Sequence, residues 1–72
     1  MKKYEGLTFR FNSLNLTKAE FGFDDIPKEG TKCEILSIEV QISEEFKDNY
    51  FNIQMETGEV LSGISGEHLT LI

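Results

Sequence analysis

Between Phe51 and Glu56 the chain alternates without a fault: Phe51, Ile53 and Met55 are apolar, and Asn52, Gln54 and Glu56 are polar. A period of two is the geometry of a strand with one face buried and one wetted. The next residues, Glu56-Thr57-Gly58-Glu59, are hairpin chemistry, with Gly58 able to adopt the positive φ that tight turns demand. The segment "VLSGI" then returns as a strand, "SGEH" makes a short loop or helical turn, and "LTLI" is a last strand. A lone hairpin is not stable in water, so the rest of the chain has to supply more sheet.

It does so in two places. In "GLTFRF", Leu7, Phe9 and Phe11 share one face of a strand, with Thr8 and Arg10 on the other. "NSLN" interrupts it with turn-forming residues. "LTKAEFGF" admits two readings: Thr17 with Glu20 fits a capping box, and Phe21 with Phe23 around Gly22 fits a strand. A turn running into a short strand combines both. "DDIPKEG" is a loop, because Pro27 cannot donate to a ladder and Gly30 closes a turn. In "TKCEILSIEVQI", Cys33 and Ile35 have one parity and Leu36, Ile38, Val40 and Ile42 the other. A slip between Ile35 and Leu36 predicts a bulge or sharp bend there. "SEEFKDN" follows as a polar loop with an exposed-looking Phe46.

With 72 residues the chain is one domain, near the lower limit for a self-sufficient core. Six phenylalanines and two tyrosines, with no tryptophan, supply large stiff pieces for that core. Thirteen acidic residues oppose seven basic ones, a net charge of −6. Direct nucleic-acid binding is disfavoured, since Lys and Arg on phosphate supply most of that affinity. The lone Cys33 excludes an internal disulfide scaffold. "MKKYEG" has no apolar run behind its lysines, and no stretch is long enough to cross a bilayer, so a cytoplasmic location is expected.

From Lys28 onward the order resembles the Src-homology-3-like small barrels. The segments are "KEGTKCEILSIEV", "SEEFKDN", "YFNIQM", "ETGE", "VLSGI", "SGEH" and "LTLI". The resemblance implies an all-β fold: a small Src-homology-3-like barrel of about five to six strands. The domain then spans residues 1–72, with 1–29 an N-terminal strand and turn elaboration and 30–72 the barrel strands. Peptide-binding members of that family carry an acidic aromatic loop, a tryptophan opening the third strand and a proline before the final turn. Here "FGFDD", Tyr50 with Phe51, and Ser65-Gly66 stand in those places, so recognition of proline-rich peptides does not carry over.

No catalytic constellation is legible. His68 is the only histidine and reads as a solvated turn residue, and Cys33 reads as a small buried hydrophobe. No cofactor, no metal and no enzymatic activity are expected. Asp24, Asp25 and Glu29 share one loop and Glu44, Glu45 and Asp48 another, without the spacing of a calcium loop. These carboxylates serve either as solvated faces or as a strip that meets a basic surface. Phe21, Phe23, Phe46 and Tyr50 either cap the ends of the barrel or stand out as anchors for a protein partner. Tyr50 has the opposite parity to Phe51 and Ile53 and should face out. The function expected is a non-enzymatic protein-interaction module using exposed aromatics flanked by acidic loops. The alternatives are an acidic, DNA-mimic-like inhibitor of phage or plasmid type, aimed at a host nucleic-acid-binding protein, and a structural subunit of a larger complex. Neither a membrane nor a nucleic acid is expected as a direct partner.

Overall fold

The computed structural model describes residues 4, 6–14 and 26–72. They form β1 (Thr8–Phe11), β2 (Lys32–Val40), β3 (Tyr50–Met55), β4 (Val60–Ser65) and β5 (Leu69–Leu71), with 3-10 turns at Phe46–Asp48 and Gly66–His68. The fold is all-β, with no α-helix among the described residues. One antiparallel sheet has the order β4-β3-β2-β1-β5. Its ladder is open among the described residues, with β4 and β5 at the two edges. β1 lies inside the sheet, paired with both β2 and β5.

The alternation in β3 is realised without exception: Phe51, Ile53 and Met55 are buried. Phe9 and Phe11 of β1, Cys33 and Ile35 of β2, Leu61 and Ile64 of β4, and Leu69 of β5 complete the core with them. Leu7, assigned by parity to the same face as Phe9, lies just before β1 and is exposed. Leu61 and Ile64 both point inward although three residues apart. A register shift opposite Phe51–Ile53 makes that possible, with Gly63 at φ +69°. The hairpin turn is as expected, Gly58 at φ +97° and the Met55 amide donating to the Glu59 carbonyl at 2.8 Å.

The parity change in β2 takes the form of a register shift between Ile35 and Ser37. A second shift, between Ile38 and Val40, is not visible in the hydrophobic pattern. Leu36 is left in the first irregularity, Ile38 turns inward opposite Phe51, and Val40 turns outward opposite Tyr50. The apolar parity of Leu36, Val40 and Ile42 therefore does not mark a buried face; all three are exposed.

Cys33 is buried, and loss of water around it pushes its thiol from an ordinary 9.0 up to about 11. The neutral thiol is thus favoured in the folded chain. Above pH 9 the unfolded chain sheds this proton first, so stability should drain as pH rises from about 9 to about 11. Urea midpoints measured at pH 8 and pH 10.5 should differ more for the wild type than for Cys33→Ala. Equal slopes for the two proteins would contradict this assignment.

Candidate interaction surface

The polar loop between β2 and β3 is organised from within by Asn49. This side chain is buried, and its Oδ1 accepts the amides of Ile42 at 2.8 Å and Ser43 at 3.1 Å. The backbone N–H of Asn49 donates to the Phe46 carbonyl, closing the 3-10 turn. Ser43 Oγ donates to Asp48 Oδ2 at 2.9 Å and accepts the Glu45 amide at 3.0 Å. A second turn is fastened beneath the first: the Gly66 amide donates to the Asn49 carbonyl at 2.9 Å, and Ser65 Oγ donates to the Lys47 carbonyl at 3.2 Å. Asn49→Ala orphans two backbone donors, an expected cost of about 1–2 kcal/mol. Chemical denaturation reads it directly, and hydrogen exchange should quicken at Ile42 and Ser43 before it does in β3.

Phe46 is not the exposed ring that its polar neighbours suggest. It is half-buried, stacked on Phe51 with centroids 4.7 Å apart and on Phe9 at 5.5 Å, and met edge-on by Tyr4 at 4.8 Å. The ring draws the loop down onto the core, where apolar burial outweighs the polarity of the segment. Tyr50 does face out, 38% exposed, and its cross-strand partners are Val40 and Ser65. Val40 is 48% exposed and Ile42, at the start of the loop, 63%. Tyr50 and Val40 thus form an apolar pair at the mouth of a loop whose Glu44, Glu45 and Asp48 are all exposed, with Glu39 exposed next to Val40. Of the other residues singled out in the sequence, Phe21, Phe23, Asp24 and Asp25 lie outside the described residues, as does the Thr17–Glu20 capping box.

Sequence reasoning missed Val40, Ile42 and Asn49. Nothing in a hydrophobic parity reveals the second register shift that turns Val40 out, and an asparagine in a polar loop looks solvated. His68 is likewise corrected. It is half-buried rather than solvated, its Nδ1 lies 2.8 Å from the Asn12 carbonyl, and its ring stacks on Phe11 at 5.9 Å. No cluster of three or more His, Cys, Asp or Glu side chains capable of holding a metal is present among the described residues. No helix among them is long and apolar enough to cross a membrane.

No family model, curated protein or solved structure matches this chain.

Proposed function

We propose that the chain is a non-enzymatic protein-interaction module built on a Src-homology-3-like barrel. Its partner is a protein with a basic surface, met by Tyr50 and its apolar neighbours Val40 and Ile42. The fold-family reading rests on the order β4-β3-β2-β1-β5, with a 3-10 turn joining β4 to β5. One observation carries the functional reading. An aromatic–aliphatic cross-strand pair stands exposed at the mouth of an internally braced acidic loop. Apolar anchors of this kind concentrate binding energy, while the surrounding carboxylates steer a basic partner and set its orientation. The non-enzymatic reading draws support from the two reactive side chains: Cys33 is buried as a neutral thiol, and His68 is engaged with Asn12 and Phe11.

The test is capture of a partner at low and at high salt by the wild type, Tyr50→Ala, and the double variant Glu44→Lys/Glu45→Lys. Asp48 is left intact because it accepts from Ser43 within the loop. A partner held at high salt and weakened roughly 30-fold by Tyr50→Ala, about 2 kcal/mol, is the expected result. A nucleic-acid-binding partner that salt removes, and that responds to charge reversal but not to Tyr50→Ala, would replace this reading with acidic mimicry.

A further inference from the structure

Antiparallel pairing of β3 with β4 sets Tyr50 opposite Ser65 at one end of the pair and Gln54 opposite Val60 at the other. The 3-10 turn before β3 and the 3-10 turn after β4 are therefore brought to the same end. The hairpin, with the Met55 amide on the Glu59 carbonyl, closes the opposite end. Asn49 stands where the two turns meet and is bonded to both. Its Oδ1 accepts the amides of Ile42 and Ser43, its N–H donates to the Phe46 carbonyl, and its own carbonyl accepts the Gly66 amide. Ser65 bridges from the other side: its Oγ donates to the Lys47 carbonyl and accepts the Glu67 amide at 3.3 Å.

Sterics tie the turns as closely as the hydrogen bonds do. A Cβ on Gly66 would meet both the backbone and the ring of Phe46, and that ring is pinned on Phe9 and Phe51. Lifting the first turn strips the Gly66 amide of its acceptor. Lifting the second leaves the Asn49 and Lys47 carbonyls without their donors. Opening either turn thus breaks bonds that hold the other, which then opens at little further cost. We propose that the two turns form one opening unit, leaving this end of the sheet together at a lower free energy than the sheet itself unfolds. The unit couples the loop that carries the exposed Glu44, Glu45 and Asp48 to the turn that leads into β5. By linkage, whatever orders one turn holds the other closed. The coupling belongs to the chain alone and stands whether or not the Tyr50 surface has a partner.

Native-state hydrogen exchange across a urea series tests this. In the wild type the amides of Ile42, Ser43 and Gly66 should report one opening constant, equal within about threefold and larger than that of the β2–β3 ladder. Ser65→Ala removes a hydroxyl from the second turn and should raise opening at Ile42 and Ser43 roughly fivefold, the effect of a typical hydrogen bond. Ser43→Ala removes one from the first turn and should raise opening at Gly66 by a like factor. Each variant deletes a single oxygen, and circular dichroism should show the sheet retained. A far turn that keeps the wild-type rate in either variant overturns the inference. So does a wild type whose three amides open with separate constants, or only together with the β2–β3 ladder.

Discussion

Phe51→Ala should cost about 3–5 kcal/mol, most of the stability a domain of this size possesses. The side chain is fully buried near the start of β3, with Ile38 and Ile64 as its cross-strand partners. Its ring stacks on Phe46 at 4.7 Å and meets Tyr4 edge-on at 6.1 Å. Truncation therefore removes apolar burial, leaves a cavity, and deletes the platform on which Phe46 holds the β2–β3 loop. A domain of 72 residues has about 4–11 kcal/mol of stability at ~0.05–0.15 kcal/mol per residue. The variant should thus be largely unfolded near body temperature, with near-ultraviolet circular dichroism lost at a much lower temperature than in the wild type. Phe51→Leu, which keeps most of the volume, should retain the fold with a smaller loss. A melting temperature unchanged by Phe51→Ala would mean that β3 is not the centre of the core.

The second large effect is expected at Gly66, for a different reason. A Cβ there would sit well inside contact distance of the Phe46 carbonyl oxygen and 2.9 Å from both the Phe46 carbonyl carbon and Cδ2. Two of these atoms are backbone, so rotamer adjustment cannot relieve the clash. The Gly66 backbone is not left-handed, so the penalty is steric and not conformational. To admit even a methyl group, the two 3-10 turns must separate. That stretches the bond from the Gly66 amide to the Asn49 carbonyl and lifts Phe46 from its stack on Phe9 and Phe51. Overpacking typically costs 1–3 kcal/mol, and a wall of backbone places Gly66→Ala at about 3 kcal/mol or more. Because the same turns brace the loop beside Tyr50, the proposed interaction surface should be disturbed along with stability. Gly58→Ala is the contrasting control: it meets no atom within 4 Å and suffers only from its positive φ. If Gly66→Ala proved the milder of the two, the close approach of the turns would be wrong.

The strands were legible because their signal is local. Phe51, Ile53 and Met55 show their buried face through a period of two, and Gly58 shows its turn through the one residue type that accepts positive φ without strain. The bend after Ile35 was legible as a parity change. The outward face of Tyr50 followed from β3 alone. The environments of Phe46, Asn49 and Gly66 were not legible, since each is set by residues distant in sequence. Phe46 is drawn down by Phe9 and Phe51, and Gly66 is kept small by the carbonyl of Phe46. A polar loop and a Ser-Gly pair look alike whether they are solvated or locked.

The sequence by itself determined an all-β chain, the inward face of β3, the hairpin at Gly58 and the outward placement of Tyr50. All of these follow from backbone periodicity and from the φ preferences of single residues. Only the tertiary structure decided that β1 lies between β2 and β5, and that a second register shift turns Val40 out beside Tyr50. Only there, too, does His68 leave solvent for Phe11, and Asn49 hold the acidic loop from inside. Strand order and register depend on which long-range pairings bury the most apolar surface while satisfying the backbone, and no window of neighbouring residues contains that sum.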